Sequence, residues 1–499
     1  MEFYSILDLQ ESPDKDQPRS AFFLDLNIEQ IISHINAFWG ENNAKLFYYF
    51  PANQECVNYR REVYSDIKNK DIYDIFFGFI CQMKKREELC QKKQKVIINV
   101  QKQVWHVLEA NCYCNALLDL VHKLEEVTLT SKGLQSFYTY LKQYTDKEEF
   151  VQMKKLAADM ASQLNGFHFV IKYENNNFVL TEGQVKGSYE TFLDECCPSR
   201  QKKMRSPFIG MANLNQLEQE LIKIFMKKKP EFFKQAEHFY KKYAAYENDV
   251  FIRFSSEITF YLSFSNFQRH MIEKGFSFAT PTVYDKQPVA AKGLYDLALA
   301  CVNSTNDQQV VSNDMFYEEG ESFFVLTGPN QGGKTTFARS LGQLIYFAKM
   351  GLDVPAVSAN VHYYKNILTH FSVEESIETG RGKLKEELTR LAPMMKEAFE
   401  NTFVIINELF TTAANHDACI MGKSVLEHFI KQKCQGIYVT HLRELSELES
   451  GVVSIRATLD EKRVQNFRIV RGNADDTACA INQVNKYKLT YEQLKERLS

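Results

Sequence analysis

Residues 322–336 read SFFVLTGPNQGGKTT, and this stretch decides the fold of the second half of the chain. A short apolar run leads into a loop of the form G-x-x-x-x-G-K-[ST], from Gly328 to Thr335, and then into a stretch of helical character. Glycines let backbone N–H groups of such a loop turn toward a phosphate, and a helix N-terminus adds partial positive charge. The order strand, loop, helix is the context that this motif requires.

We therefore predict that this loop binds the phosphates of ATP. Lys334 is expected to reach the β- and γ-phosphates, and the Thr335 hydroxyl is expected to ligate Mg²⁺. The predicted nucleotide-binding residues of the loop are Gly328, Pro329, Asn330, Gln331, Gly332, Gly333, Lys334, Thr335 and Thr336.

From about residue 290, short apolar runs alternate with helical stretches. The runs at 322–327, 403–407 and 436–441 predict strands of a mostly parallel sheet covered by helices.

Glu408 follows the second run and is the predicted catalytic base, because NTPases place an acidic residue after such a strand. Asn407 stands at the Mg²⁺ position beside Thr335 and Glu408. An amide brings no charge, so we expect lower Mg²⁺ affinity or slower turnover. A surface carboxylate is the alternative interpretation of Glu408.

His441 follows the third apolar run. At that position a histidine can sense the γ-phosphate or position the attacking water, and we predict a catalytic role. The alternative is a histidine with only a structural role, which is the more common case for a single histidine.

The first half of the chain has a different pattern of apolar residues. Residues 1–20 read as a polar, loosely ordered lead, and no proline occurs from Ala52 to Cys197. Apolar residues at helical spacing predict long amphipathic helices. Val96, Val100, Val104 and Leu108 are one such series. At 166–181 the period changes, and FHFVIKY, ENNN and FVLTEG predict two strands joined by a polar turn.

Charge and cysteine content limit the possible functions. Lys and Arg total 60 against 63 Asp and Glu, so any DNA contact needs a local basic patch. The candidate DNA contacts are Lys172, Lys186, Arg200, Lys202, Lys203 and Arg205, with a solvated basic loop as the alternative.

The 11 cysteines form no C-x-x-C pair, which favours reduced thiols without zinc. With no signal peptide pattern and no apolar run approaching 18 residues, a cytoplasmic protein without a membrane span is predicted.

The order of TGPNQGGKTT, GLDVPA, GRGKLKEEL, INELFTTAANHDA and VTH resembles the ATPase domain of the MutS family of DNA mismatch repair proteins. The resemblance covers roughly residues 290–499. It is weaker over 40–290, where the family has a helical core and lever with an inserted β clamp. It implies an ATPase that uses ATP and Mg²⁺, and a dimer whose two composite ATP sites control a DNA clamp.

Further residues take expected roles from this resemblance alone. Asn313 falls where the family contacts the nucleotide, and Asp417 matches the acidic residue that closes the loop after the base. The segment 380–387 matches the one presented to the other subunit's ATP. The candidates for this contact in trans are Gly380, Arg381, Gly382 and Lys383.

Three departures from the family pattern bear on function. Gly382 and Lys383 replace hydroxyl residues, so either the γ-phosphate contact in trans is lost or Lys383 has taken it over. Residues 410–414, FTTAA, replace a glycine-rich loop. No mismatch-reading module is visible, since the single Phe-x-Glu, at 316–318, lies just before the loop-bearing strand.

The predicted fold is α + α/β. A lead over 1–20 precedes a mainly helical core and lever over 21–289, with a β insertion at about 166–208, and an ATPase domain over 290–499 that ends in a short helical dimerisation segment. The predicted function is an ATP-hydrolysing clamp, acting in DNA repair or recombination, that binds branched or structured DNA as a homodimer. The alternatives are an ATP-gated protein-interaction scaffold and a pseudo-ATPase.

Overall fold

The computed structural model describes residues 3–9, 20–39, 41–167, 169–174, 177–182, 216–284, 289–304, 308–372, 383–448, 451–460, 465–473 and 495. The chain divides into two compact units. Residues 1–3 and 66–258 form one, which we call the helical unit. Residues 4–65 and 259–499 form the other, which we call the mixed unit.

The N-terminal segment of the mixed unit is helical. It contains α1 (Phe22–Asp25), α2 (Ile28–Asn36), a 3-10 helix (Glu41–Tyr48) and α3 (Gln54–Lys68), which crosses the boundary between the units. Helix α2 forms because isoleucines at 28, 31, 32 and 35 make one apolar face, and all four are buried.

The N-terminal residues are packed rather than loose where the structure describes them. Ile6 and Leu7 are fully buried. Arg60 Nε donates to the Leu7 carbonyl at 2.7 Å, and the Tyr261 hydroxyl donates to the Ile6 carbonyl at 3.0 Å. The predicted loose lead over 1–20 therefore does not hold for residues 4–9, because their backbone is bound by side chains from distant parts of the chain.

Helices make up most of the helical unit. They are α4 (Lys70–Lys95), α5 (Asn99–Glu125), α6 (Lys132–Thr145), α7 (Glu148–Asn165), α8 (Gln216–Lys228), α9 (Pro230–Lys242) and α10 (Asp249–Glu273), which continues into the mixed unit. Side chains cap several of them. Asn69 Oδ1 accepts from the Asp71 amide at 2.9 Å at the start of α4, and Ser131 Oγ accepts from the Leu134 amide in α6.

The apolar series from Val96 to Leu108 does not mark a single buried helix face. Helix α4 ends at Lys95 and α5 begins at Asn99, so Val96 lies between two helices. Val100, Val104 and Leu108 are only half-buried. The buried side of α5 here carries the polar residues His106 and Glu109. Glu109 is paired with Arg86 and Lys93, and His106 Nε2 lies 3.0 Å from the Tyr243 carbonyl, contacts that apolar spacing cannot reveal.

Two antiparallel strands, β1 (Phe169–Glu174) and β2 (Asn177–Glu182), lie where the change of period predicted them. Their register pairs Phe169 with Glu182 and Glu174 with Asn177. The remainder of the predicted insertion, residues 183–208, lies outside the described residues.

The mixed unit contains the other strands and four further helices. The strands are β3 (Thr282–Tyr284), β4 (Ala290–Leu294), β5 (Asn313–Phe316), β6 (Phe323–Thr327), β7 (Ser358–His362), β8 (Asn366–Phe371), β9 (Thr402–Asn407), β10 (Gln435–Val439), β11 (Val452–Leu459) and β12 (Gln465–Arg471). The helices are α11 (Leu297–Ser304), α12 (Lys334–Lys349), α13 (Lys383–Glu397) and α14 (Asn415–Lys431), with a 3-10 helix at Arg443–Glu447.

Six of these strands form one sheet in the order β12-β11-β6-β10-β9-β8. Neighbours are parallel from β11 to β8, and only β12 runs antiparallel. This confirms the predicted mostly parallel sheet. Strands β6 and β9 are buried along their whole length, as expected for a sheet with helices on both faces. Because parallel strands end at the same edge, Thr327, Asn407 and Val439 come together there.

A second sheet, β3-β7-β4-β5, was not predicted. Its strands are short and carry few large apolar residues, as in AAKGL (290–294) and SANVH (358–362), so they give little signal by alternation. It pairs residues from both sides of the predicted boundary at 290, since β3 lies beside β7.

The grouping into units also differs from the predicted domain boundaries, because residues 4–65 belong with the sheet. Asp25 shows why: its carbonyl accepts from Arg339 Nε at 2.9 Å, and its carboxylate accepts from the Thr369 hydroxyl at 2.6 Å.

Among the residues that the structure describes, no helix is both long and apolar enough to span a membrane.

Candidate functional site

The loop between β6 and α12 has left-handed backbone at three positions. Gly328 and Gly333 have φ of 132° and 83°, and Gln331 has φ of 61°. Gly328 is also required by packing, since an added Cβ would lie 3.0 Å from the Ala457 side chain and 3.1 Å from its backbone nitrogen. The glycines therefore allow both the turn and the close approach of β11.

Lys334 begins α12 and is nearly buried, with 4% of its surface exposed. Its ammonium donates to the carbonyls of Gly328 at 2.8 Å and Pro329 at 3.0 Å. The side chain thus folds back over its own loop at the helix N-terminus, where the partial positive charge of α12 adds to that of the ammonium.

Thr335 and Asn407 meet across the edge of the sheet. The Thr335 hydroxyl donates to Asn407 Oδ1 at 3.1 Å, and Asn407 is the last residue of β9. Oxygen ligands from a loop hydroxyl and a neighbouring strand end suit Mg²⁺, which in phosphate sites retains water and binds few protein groups. The residues present therefore fit a magnesium ion, held by an amide oxygen in place of a carboxylate.

Glu408 and His441 form a second pair at this edge. His441 Nε2 lies 3.2 Å from Glu408 Oε1, and 44% of the histidine side chain is exposed. Glu408 has φ of 56°, and its amide donates to the Val439 carbonyl at 2.9 Å. The Thr440 amide in turn donates to the Leu326 carbonyl at 3.0 Å, which ties the His441 segment to β6.

A cavity of about 380 Å³ lies beside the loop. Its lining includes the predicted residues Asn313, Gln331, Gly332, Gly333, Lys334, Thr335, Thr336 and Glu408. Gly328, Pro329 and Asn330 are not among the lining residues that the structure describes. Asn407 and His441 connect to the lining through Thr335 and Glu408.

Asn313 lines the cavity, but both ends of its amide are engaged by β12. Its Nδ2 donates to the Phe467 carbonyl at 3.1 Å, and its Oδ1 accepts from the Ile469 amide at 2.8 Å. In this structure Asn313 therefore shapes the cavity wall, and a direct contact with nucleotide remains a prediction.

Several lining residues were missed by sequence reasoning. Phe467, Leu299 and Val311 supply exposed apolar surface, and Asp296 is a nearly buried carboxyl whose pKa is raised by burial. Asp296 also accepts from Gln343 Nε2 at 2.8 Å. No motif marks these positions, because they come from four separate segments: α11, the connections before and after it, and β12. These segments reach the loop only in the folded unit.

The remaining predicted residues are not among the lining residues of the cavity or are outside the described residues. Lys383 is the first residue of α13, while Gly380, Arg381 and Gly382 are outside the described residues. Asp417 is exposed in the first turn of α14. Lys172 lies in β1 opposite Val179. Lys186, Arg200, Lys202, Lys203 and Arg205 are outside the described residues.

A parallel sheet whose inner strand leads through a glycine loop into a helix is an arrangement found in nucleotide-binding α/β proteins. Residues 324–486 match the family model described as MutS domain V. Together with its similarity to MutS and Msh3 proteins, this match supports membership of the chain in the MutS family.

Three relatives illustrate the extent of the similarity. The chain is 26% identical over 219 residues to the DNA mismatch repair protein MutS of Fervidobacterium nodosum, covering 42% of this chain and 26% of that protein. It is 27% identical over 252 residues to the DNA mismatch repair protein Msh3 of Homo sapiens, covering 50% and 21%. It is 30% identical over 146 residues to the DNA mismatch repair protein MSH3 of Arabidopsis thaliana, covering 29% and 14%. The match thus spans about a quarter or less of these relatives.

Proposed function

We propose that this chain binds and hydrolyses ATP and uses the cycle to control a DNA clamp in DNA repair or recombination. The observation that carries the proposal is the convergence of Thr335, Asn407, Glu408 and His441 at one sheet edge, on a cavity lined by the glycine loop. The names of the relatives, all DNA mismatch repair proteins, support the DNA role.

Each residue has a defined part in the proposed hydrolysis. Backbone N–H groups of the loop and the Lys334 ammonium hold the phosphates, and Lys334 exchanges its contacts with Gly328 and Pro329 for phosphate oxygens. Thr335 and Asn407 would hold Mg²⁺, and the ion would supply positive charge to stabilise the transferring phosphoryl group. Glu408 orients the attacking water and accepts its proton, and His441 orients the Glu408 carboxylate.

The DNA-binding part of the proposal rests on a local basic patch, because the net charge of the chain is −3. Lys172 in the β1–β2 hairpin and the basic residues at 186 and 200–205 are the proposed phosphate contacts. We propose recognition of branched or structured DNA rather than mismatches. A cytoplasmic homodimer, with residues 380–383 presented to the partner's ATP, completes the proposal.

The test is steady-state ATP hydrolysis by the purified chain, with and without duplex, single-stranded and four-way-junction DNA. Glu408→Ala is the inactive variant, and Glu447→Ala, from the 3-10 helix after His441, is its control. Stimulation or suppression by one DNA form, with activity lost only in Glu408→Ala, would support a DNA-coupled ATPase. Hydrolysis that no DNA form alters, without DNA binding at low salt, would contradict the clamp.

The second candidate is an ATP-gated protein-interaction scaffold, or a pseudo-ATPase, with little DNA binding. Asn407 at the Mg²⁺ position and the slightly acidic net charge favour it. It predicts that Lys172→Glu leaves DNA affinity unchanged. Tight ATP binding without phosphate release would identify the pseudo-ATPase, and normal turnover would eliminate it.

A further inference from the structure

The turn that follows β9 has an unusual backbone. Glu408 and Phe410 have φ of 56° and 63°, in the left-handed region that residues with side chains seldom adopt. Such conformations persist only where surrounding contacts fix them, and they concentrate at functional sites. The contacts that fix this turn therefore determine where the Glu408 carboxylate points.

Two backbone amides of the turn are held from outside it. The Glu408 amide donates to the Val439 carbonyl, which belongs to the neighbouring strand. The Phe410 amide donates to Glu387 Oε2 at 3.2 Å. Phe410 is itself almost completely buried, so its N–H group needs a protein acceptor in place of water.

Glu387 is placed to serve as that acceptor. It lies one turn inside α13, and only 4% of its surface is exposed. Glutamate is almost never buried to this degree unless its carboxyl group is bound. Its carboxyl group also acts on the buried phenol of Tyr438, where burial and then the charge of Glu387 raise the pKa.

We infer that Glu387 is a positioning residue for hydrolysis: its carboxyl oxygen holds the Phe410 amide, and this contact keeps Glu408 in the left-handed conformation that directs it toward His441 and the cavity. This inference rests on the proposed hydrolysis of ATP. Loss of the acceptor would release the turn toward right-handed backbone angles and move the Glu408 carboxylate away from the attacking water. Glu387 touches neither nucleotide nor water in this scheme.

Two conservative variants separate this role from a general need for a buried charge. Glu387→Gln keeps a carbonyl oxygen at the same reach and removes the charge. Glu387→Asp keeps the charge and shortens the reach by one methylene. The same two changes at the exposed Glu397, the last residue of α13, are the controls.

The measurements are kcat and KM for ATP, the dissociation constant for ATP with Mg²⁺, and hydrogen exchange of peptides covering residues 403–412. We expect Glu387→Asp to lower kcat roughly 10- to 100-fold, as for a small misplacement of a reacting group, with the dissociation constant nearly unchanged and faster exchange at 408–410. Glu387→Gln should stay close to the unchanged chain in all three measurements, as should both Glu397 variants.

The opposite order, with Glu387→Asp active and Glu387→Gln impaired, would show that charge matters and would overturn the inference. Unchanged kcat in both variants would also overturn it, and so would a Glu387→Asp protein that loses kcat without faster exchange at 408–410. Absence of hydrolysis in the unchanged chain and in the Glu397 variants would instead count against the proposed function, and exchange at 408–410 would still report on the contact.

Discussion

Both units bury charged side chains, but only the mixed unit combines them with left-handed backbone. In the helical unit, Glu109 is completely buried and contacts Arg86 and Lys93. Among the described residues of that unit, no residue other than glycine has a positive φ. In the mixed unit seven such residues do, and three of them, Gln331, Glu408 and Phe467, line the cavity. The other four are Asn27, Asn401, Phe410 and Lys433.

The difference separates two kinds of unfavourable structure. The two cationic partners of the buried Glu109 carboxylate offset the free energy that burial of its charge costs. A functional role is therefore not needed to explain this burial. Left-handed backbone at a loop and at a strand end is retained where the direction of particular groups matters. We therefore expect substitutions in the Glu109 cluster to change stability, and substitutions in the strained turns to change the site.

The largest effect is expected from Glu109→Gln. Removing this charge leaves Arg86 and Lys93 near a neutral amide in a buried site, and we expect the free energy of unfolding to fall by about 3 kcal/mol. Urea unfolding followed by circular dichroism measures the change. The control is Glu220→Gln, which breaks an exposed ion pair with Lys223 and should cost less than about 1 kcal/mol. Equal effects would show that the cluster is not a compensated buried charge.

The next effect concerns the backbone of the loop. Gly328→Ala places a Cβ 3.0 Å from the Ala457 side chain and 3.1 Å from its backbone nitrogen, at a φ of 132°. We expect ATP affinity to fall at least tenfold, because loop and β11 must separate, with a loss of stability of about 1–3 kcal/mol. Gly320→Ala is the control, since φ there is 87° but no atom lies within 4 Å of the added Cβ. If both variants bind ATP equally, close packing of the loop is not what Gly328 provides.

A smaller effect follows from His370 in β8. Burial lowers its pKa to about 4, whereas an unfolded histidine titrates near 6.5. The unfolded chain therefore binds this proton first as the pH falls. The stability that this residue contributes is complete above about pH 6.5 and is lost as the pH falls from 6.5 toward 4; over the one unit from pH 6.5 to 5.5 the loss is at most about 1.4 kcal/mol.

His370→Asn tests this linkage by removing the titrating ring. Urea unfolding at pH 7.5, 6.5 and 5.5 should show a smaller loss of stability on acidification in the variant than in the unchanged chain. His238→Asn, at an exposed position on α9, should leave the dependence as it is. A dependence that is identical in all three proteins would mean that His370 is not the group responsible.

The same comparison shows what sequence could predict. The loop, the strands at 323–327, 402–407 and 435–439, and the β1–β2 pair are each encoded by neighbouring residues, so local pattern sufficed for them. Three features depend on residues that are far apart in the chain: the Glu109 cluster, the place of Phe467 in the cavity lining, and the contact of Glu387 with the turn that follows β9. Apolar spacing predicts that a helix buries apolar residues, so it cannot predict a buried charged residue. The cost of burying that charge is offset only by contacts that form in the folded chain.

The smallest effect, and the one that tests the site most directly, is expected from Asn407→Asp. The Asn407 amide oxygen already accepts from the Thr335 hydroxyl at 3.1 Å, so aspartate would place a charged oxygen at the same point with little rearrangement. We expect the Mg²⁺ concentration for half-maximal hydrolysis to fall several-fold, because carboxylates are preferred Mg²⁺ ligands. The measurement is hydrolysis against Mg²⁺ at saturating ATP, with Asn401→Asp, at the start of the β9 segment far from the loop, as control. A decrease in Asn407→Asp alone would assign the metal position, whereas an unchanged Mg²⁺ dependence would mean that the amide of Asn407 serves the Thr335 contact rather than the ion.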